Sequence, residues 1–151
     1  MWEILLSFGY AGDFNILRKY RMIFLGILFA PLYKLYLVKH SSYIPIQAKL
    51  KGTIKFPHLN GIFIACYSEI GNGCTIYQQV TIGSNHSVGS KNIGAPKIGD
   101  NCLIGAGAKI IGGITIGNNV KIGAGCIITE NIPDDCIVVM PKPRIILRQN
   151  D

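Results

Sequence analysis

The sequence predicts a mainly β protein built as a parallel β-helix, and two observations support that prediction. Isoleucine recurs every six residues over two long runs, and glycine usually follows it. The chain also contains 26 isoleucines and 18 glycines in 151 residues. This composition is unsuited to a helical bundle, because glycine costs about 1 kcal/mol per helix position and β-branched side chains prefer strands.

The six-residue repeat predicts which side chains form the core. Four positions after most of the isoleucines stands a small or branched apolar residue. One large and one smaller inward residue per hexad, with a glycine where the backbone turns, describes one flat side of a parallel β-helix. Such units bury their apolar faces only by stacking. The repeat isoleucines are Ile64, Ile70, Ile76, Ile82, Ile98, Ile104, Ile110, Ile116, Ile122 and Ile128, and the smaller residues are Cys74, Val80, Cys102, Ala108, Ile114, Val120 and Cys126.

The chain changes character near residue 43, which predicts an N-terminal helical segment at 1–42 and a β-helix domain at 43–151. Apolar residues recur at helical spacing between Phe14 and His40. We expect two short helices that meet at Pro31, since the residue before proline is biased away from helix.

The N-terminal helices are not expected to span a membrane. Their uncharged stretch, from Met22 to Tyr33, is well short of the roughly 20 apolar residues that a span requires. Two roles remain open. The helices pack on the protein or on a sister subunit, or they lie on an anionic membrane surface through Arg18, Lys19 and Arg21.

Two segments break the six-residue spacing. The excess residues between Ile82 and Ile98, roughly Ser84 to Pro96, are polar and predict one inserted loop, a kind of insertion that is often functional in solenoids. The tail from Pro133 onwards contains three prolines and leaves the pattern, so we expect it to close the stack.

Charge and cysteine content exclude several classes. The net charge of +7 is scattered along the chain, which argues against nucleic acid and fits a phosphate-bearing small molecule or an anionic membrane. The five cysteines form no CxxC pair and there is no secretory signal peptide, so we expect neither disulfides nor a metal site, and a cytoplasmic location. Cys74, Cys102 and Cys126 are expected to be core thiols.

The hexad array resembles the left-handed parallel β-helix (hexapeptide-repeat) acyltransferases over about residues 43–147. The resemblance rests on the segments PHLNGIFI, YQQVTIG, IGAGAKIIGGITIGNNVKIGAGCII and MPKPRII. The sequence is most similar to the serine acetyltransferase-like branch, which includes many sugar and polysaccharide O-acetyltransferases. The resemblance implies a homotrimer that binds acetyl-CoA in the groove between neighbouring β-helices.

The resemblance also implies a general base, and its position falls on His58 in FPHLNG. Imidazole, with a pKa near 6.5, can take a proton from a hydroxyl at neutral pH and return it to the leaving thiolate. The alternative is a buried structural histidine, because His58 lies six residues before Ile64. Against it, Pro57 and Asn60-Gly61 are turn formers and predict a bulge.

Other site residues are predicted from their place in the sequence or from the resemblance. His86, in the inserted loop, and Tyr43 are candidates for contact with substrate, whereas His40 is expected to be structural. Solvated surface residues are the alternative for His86, for the basic positions and for Ser84. The expected acetyl-CoA contacts are Ser84, Ala106, Lys121, Ala124, Lys142 and Arg144.

Three features, at four positions, depart from the serine enzymes. Tyr43 stands where an aspartate orients the histidine in those enzymes. Pro57 replaces an acidic residue that binds the amino acid substrate, and Gly94-Ala95 replaces an Arg-His pair that binds its carboxylate. These losses argue against serine as the acceptor.

We therefore expect an acetyl-CoA-dependent O-acetyltransferase that modifies a hydroxyl of a small-molecule or lipid-linked sugar in surface polysaccharide biosynthesis. Serine O-acetyltransferase in cysteine biosynthesis and N-acetylation of an amino sugar are the alternatives. A β-helix carbonic anhydrase and an inactive assembly module are rivals of other classes.

Overall fold

The computed structural model describes residues 26–144, with side chains described from residue 31 onwards. Within this range one helix, α1 (Gly26–Lys39), precedes short parallel strands. The strands are β1 (Lys49–Leu50), β2 (Phe63–Ile64), β3 (Glu69–Ile70), β4 (Thr75–Ile76), β5 (Thr81–Gly83), β6 (Lys97–Ile98), β7 (Leu103–Ile104), β8 (Lys109–Ile111), β9 (Thr115–Ile116), β10 (Lys121–Ile122), β11 (Ile127–Ile128) and β12 (Ile137–Val138).

The strands form three parallel sheets that make the three faces of a prism. Face one contains β1, β3, β6 and β9, face two contains β4, β7, β10 and β12, and face three contains β2, β5, β8 and β11. From β2 to β11 the chain visits the faces in turn, so each strand there pairs with the strand three places further on, whereas β1 pairs with β3 and β10 with β12. Where the repeat is regular, each coil takes eighteen residues, since Ile98 pairs with Ile116 and Ile104 with Ile122.

The predicted core is confirmed. Every repeat isoleucine from Ile64 to Ile128 is buried, as are all the smaller inward residues, including Cys74, Cys102 and Cys126. The core is a column of side chains inside the prism because two-residue strands alternate one outward and one inward residue.

The glycine after each isoleucine does not have the expected role at a turn. Gly99 and Gly105 have no left-handed backbone angle, but a Cβ on Gly105 would lie 2.6 Å from Ala124 N and 2.8 Å from Gly123 C. Glycine is needed there because the next coil passes too close for a side chain. The left-handed residue is instead the third after the isoleucine. It is Gly73, Gly107 and Gly125 in three hexads, and Tyr67, Gln79, Asn101 and Asn119 in four others.

The coil that contains His58 has two extra residues. Lys55 pairs with Thr75, which places Phe56 beside Ile76 and makes Phe56 the inward residue of its strand position. Phe56 precedes Ile64 by eight residues instead of six. His58 is therefore exposed, and the alternative of a buried structural histidine is wrong.

The expected break between two helices at Pro31 is not found. α1 continues through Pro31 from Gly26 to Lys39. Proline removes a single N–H donor from the helix. The remaining helical hydrogen bonds before and after Pro31 outweigh the preference of the preceding residue for non-helical backbone angles. The earlier predicted helical residues and Arg18, Lys19 and Arg21 lie outside the described range. No helix within residues 26–144 is long and apolar enough to cross a bilayer.

The inserted loop is confirmed as an excursion from the prism. Asn85 and Gly94 pair in antiparallel fashion at its base, with N···O distances of 2.9 and 2.8 Å. The tail differs from expectation, because the stack continues for most of another coil. Ile132 bridges to Ile116, and β12 pairs with β10.

Candidate active site

The three corners of the prism differ in what fills them. The corner between faces one and two is filled by a ladder of side chains in which each amide or carboxylate oxygen accepts a backbone N–H from the coil before. The N···O distances are 2.7–2.8 Å. The ladder residues are Asn72, Asp100, Asn118 and Asp134. This corner leaves no room for a ligand against the backbone.

The corner between faces three and one is covered by the inserted loop. The carbonyl of Asn92 accepts the Gly113 N–H at 3.0 Å, and the Asn92 side-chain amide donates to the Thr129 carbonyl at 2.7 Å. The loop therefore lies across two successive coils. A shallow pocket of about 380 Å³ remains beside it, with Tyr67, Gly94 and Ala95 among its lining residues.

The corner between faces two and three, the open corner, is lined by the smallest residues. Ala106-Gly107 and Ala124-Gly125 occupy it in successive coils, and nothing lies within 4 Å of a Cβ built on Gly107 or Gly125. Ala124 is exposed and Ala106 is half-buried. Among the described corners this one leaves the backbone accessible along several coils.

His58 lies at the same open corner, one coil from Tyr77, Gln78 and Gln79. Backbone hydrogen bonds connect the coils there, from Gln79 N to Asn60 O at 2.8 Å, from Gly107 N to Gln78 O at 3.0 Å and from Gly125 N to Ala106 O at 2.8 Å. The structure thus brings His58, Ala106 and Ala124 together along one edge of one chain.

The bulge that carries His58 is held by the end of α1 and the residues after it. The carbonyl of His40 accepts the Gly61 N–H at 3.0 Å, and the His40 ring Nδ1 lies 2.9 Å from Asn60 Oδ1. The Ser42 hydroxyl donates to the Leu59 carbonyl at 3.0 Å and accepts the Ile62 N–H at 3.1 Å. These contacts fix the C-terminal side of the bulge, and the His58 ring is exposed. They also agree with a structural role for His40.

Three predicted basic residues flank the open corner. Lys121 is the exposed first residue of β10, and that strand ends one residue before the corner. Lys142 and Arg144 are exposed in the tail that follows β12, which leaves the stack at this corner. Their positions fit a phosphate-bearing ligand, although no contact between them fixes their geometry.

Three other predicted residues lie away from His58. Ser84 and His86 contact each other at 2.8 Å, from Ser84 Oγ to His86 Nε2, at the start of the inserted loop on the far side of face three. Tyr43 lies on face three beside Phe63, and the charge of the neighbouring Cys66 thiolate raises the pKa of its phenol. Within one chain these residues do not share the open corner.

Gln78 was missed by the sequence reasoning. Its side-chain Oε1 is buried and has no hydrogen-bond partner among the described residues. Gln78 lies at the open corner between His58 and Ala106, and a buried polar atom without a partner is a feature found at functional sites. The signal in the sequence was the Gln78-Gln79 pair at a corner where other coils have alanine and glycine. Residues 26–144 contain no group of three His, Cys, Asp or Glu side chains placed to hold a metal ion.

Comparisons with known proteins agree with the fold. Residues 95–130 match the bacterial transferase hexapeptide family (six repeats). Serine acetyltransferase isoform 3 of Entamoeba histolytica in complex with cysteine is 35% identical with a TM-score of 0.68, and the match covers 82% of this chain and 44% of that one. No curated protein sequence matches the chain.

Two further solved structures give the same result. Serine acetyltransferase of Neisseria gonorrhoeae in complex with serine is 31% identical with a TM-score of 0.62, over 79% of this chain and 51% of that one. The soybean serine acetyltransferase apoenzyme is 35% identical with a TM-score of 0.59, over 76% and 49%. The chain spans about half the length of these structures or less.

The fold and the repeat define a left-handed parallel β-helix of the hexapeptide type, which confirms the fold class expected from the sequence. The chain carries the repeat of the hexapeptide-repeat transferase family and has serine acetyltransferases as its structural neighbours. Both findings support an acyltransferase enzyme. They favour the serine acetyltransferase alternative over the expected sugar O-acetyltransferase.

Proposed function

We propose that this protein is an acetyl-CoA-dependent O-acetyltransferase that works at the open corner, with His58 as its general base. The observation that carries the proposal is the coincidence of two features at one edge. The bulge of two residues exposes His58, and the small residues Ala106 and Ala124 keep the same edge accessible in the coils that follow.

The donor in this proposal is acetyl-CoA. Its narrow pantetheine arm suits an edge without side chains at Gly107 and Gly125. Lys121, Lys142 and Arg144 are the exposed cations near this edge, and they would meet the phosphate groups of the nucleotide part. Ser84 lies on the far side of face three and would reach the same ligand only from a neighbouring copy.

The chemistry assigned to His58 is proton transfer. The imidazole accepts the proton of the acceptor hydroxyl as its oxygen attacks the acetyl carbonyl carbon. A carbon–oxygen bond forms, the carbon–sulfur bond breaks, and His58 returns the proton to the departing thiolate. No carboxylate among residues 26–144 forms a hydrogen bond with His58, and the candidates for the group that orients it are a backbone carbonyl, Tyr43 or a carboxylate from another subunit.

Serine is the acceptor that the comparisons favour. The solved neighbours are serine acetyltransferases, two of them in complex with cysteine or serine. We therefore place an amino acid hydroxyl first, as in the alternative that the sequence raised.

A sugar hydroxyl is the second candidate, and one observation favours it. An amino acid acceptor carries a carboxylate and an ammonium group, which protein sites usually bind through charged partners. The four positions where the resemblance implies polar serine contacts or orientation hold Tyr43, Pro57, Gly94 and Ala95, none of which carries a charge. A sugar, which is bound by neutral groups, would tolerate these residues. A role in surface polysaccharide biosynthesis belongs to this second candidate.

A homotrimer also belongs to the proposal. The open corner supplies one wall of a groove, while Tyr43, Ser84 and His86 lie across face three. A neighbouring β-helix would supply the second wall and bring its own copies of these residues to His58.

The proposal is tested by incubating the purified protein with acetyl-CoA and, separately, serine, neutral sugars and amino sugars, with release of free CoA thiol as the readout. Preferential turnover of serine supports the first candidate, and preferential turnover of a neutral sugar supports the second. Absence of transfer to every acceptor, together with absence of CoA binding by calorimetry, would show that the β-helix is an assembly module.

A further inference from the structure

α1 is apolar on two sides, and only one of them is covered. Tyr33, Tyr36 and Leu37 pack against the β-helix core. On the opposite side Leu32, Leu35 and Val38 are 57%, 66% and 65% exposed. Three large apolar side chains spaced by three residues on one helix form an unusual surface for a water-facing element.

Two lysines frame this surface. With about 3.6 residues per turn, Leu35 and Val38 fall in the middle of the outward arc, and Lys34 and Lys39 fall towards its edges. Both lysines are exposed. An apolar strip with a basic residue on either side is the pattern of a helix that lies in the headgroup region of a bilayer, where lysine reaches up to the phosphates.

The charge around α1 has a single sign. From Gly26 to Ser68 the chain contains five lysines and neither aspartate nor glutamate, and the first acidic side chain after α1 is Glu69. A second copy of the same surface would bring Lys34 and Lys39 against their own equivalents. An anionic partner is complementary to it.

The apolar surface extends from the helix onto the first coil. A groove of about 330 Å³ lies between α1 and the chain after it, lined by Tyr33, Lys34, Val38, Tyr43 and Ile46 among others. Ile46 and Tyr43 are 39% and 51% exposed. Acyl chains or headgroups would therefore meet a continuous apolar strip and not an isolated helix.

We propose that the outward side of α1, Leu32, Lys34, Leu35, Val38 and Lys39, docks on an anionic phospholipid bilayer. Because α1 is joined to the His58 bulge through His40 and Ser42, docking also fixes the height of the open corner above the lipid. The proposal needs no catalytic activity and stands apart from the proposed function.

Flotation with vesicles tests it. The full chain is mixed with vesicles of phosphatidylcholine alone or of phosphatidylcholine with phosphatidylglycerol, at low and at high salt. We expect binding to the phosphatidylglycerol vesicles at low salt, much weaker binding at high salt, and little to phosphatidylcholine alone. Equal binding to both vesicle types, or no binding to either, would overturn the proposal.

Two double variants locate the contact. Lys34→Gln with Lys39→Gln should weaken binding about thirtyfold, at roughly fivefold per lysine near an anionic surface. Leu35→Gln with Val38→Gln should weaken it by at least about tenfold, since both apolar side chains leave the bilayer. Val88→Gln with Lys91→Gln is the matched control, because both residues are exposed in the inserted loop, and it should bind as the parent does.

The mass of the protein in solution tests whether a second copy of the chain, and not a bilayer, covers this side of α1. Light scattering without vesicles should give the same mass for the parent and for Leu35→Gln with Val38→Gln. A smaller mass for the variant would identify this side of α1 as a contact between copies and would overturn the proposal. Unchanged thermal unfolding checks that the exposed substitutions leave the fold intact.

Discussion

Two glycines of the open corner, two residues apart, should respond differently to the same added methyl group. At Gly105 a Cβ would lie 2.6 Å from Ala124 N, 2.8 Å from Gly123 C and 2.9 Å from Ile122 O, all backbone atoms of the next coil. At Gly107 nothing lies within 4 Å, but the φ of +70° is left-handed. Gly105 is required by close approach, whereas Gly107 is required by backbone angle.

The expected costs follow from these distances. Overpacking costs about 1–3 kcal/mol and occasionally more, and three rigid backbone contacts place Gly105→Ala at about 3 kcal/mol or above. Gly107→Ala incurs only the cost of a left-handed alanine, about 1 kcal/mol. For a chain of this size about 1 kcal/mol lowers the melting temperature by roughly 2–4 °C. Gly105→Ala should therefore melt at least about 6–12 °C lower, and Gly107→Ala about 2–4 °C lower.

The assay is thermal unfolding followed by circular dichroism at one fixed protein concentration. Gly89→Ala is the matched control for Gly107→Ala, because Gly89 also has a left-handed φ, +83°, and open space around it, but lies in the inserted loop. Both should lose similar stability, while only Gly107→Ala should raise the KM for acetyl-CoA. Equal melting temperatures for Gly105→Ala and Gly107→Ala would refute the assignment of the two glycine roles.

Further predictions concern the thiols and Glu69. Ellman's reagent should label Cys66 and Cys136 in the folded protein and all five cysteines after unfolding. The reason is that Cys74, Cys102 and Cys126 are at most 2% exposed. In addition, the hydrogen bond with Cys102 and burial raise the pKa of the Cys74 thiol. Labelling of more than two thiols in the folded protein would contradict the packed core. The hydrogen bond and charge of Lys49, with Lys51 and Lys97 nearby, hold the pKa of Glu69 below its ordinary value of 4.5. The ionised carboxylate therefore adds stability above pH 4.5, and this stability is lost as the pH falls through the lowered pKa. Glu69→Gln should thus melt slightly below the parent at neutral pH and level with it in acid, and a gap that persists in acid would count against this ion pair.

The core could be predicted from the sequence because its period is short and each position is filled in the same way. Ile70, Ile98 and Ile116 belong to different coils, yet each is identified by its own hexad. The role of the following glycine could not be predicted from one hexad. The restriction on Gly105 comes from Ala124, nineteen residues later, and depends on how the coils stack.

The sequence gives two conflicting indications about the exposure of His58. The turn formers around it indicated a bulge, but its distance of six residues from Ile64 suggested the inward phase. The pairing of Lys55 with Thr75 shows that Phe56 takes the inward position. An aromatic residue replaces isoleucine there, so the periodic pattern does not identify it.

The helix and the site show what depends on tertiary contacts. α1 passes through Pro31 because the rest of the helix packs on the core through Tyr33, Tyr36 and Leu37, which local bias at proline does not include. The open corner was not predicted as such. It becomes evident only when the Asn and Asp ladder and the inserted loop are seen to occupy the other two corners.

The most direct test of the central claim is acetyl transfer by His58→Ala, measured as CoA thiol release with the acceptor that the parent prefers. The claim predicts a loss of kcat of about 10²–10⁴-fold, with CoA binding and the circular dichroism spectrum unchanged. Full transfer by a folded His58→Ala protein that still binds CoA would contradict it, because the base would then lie elsewhere.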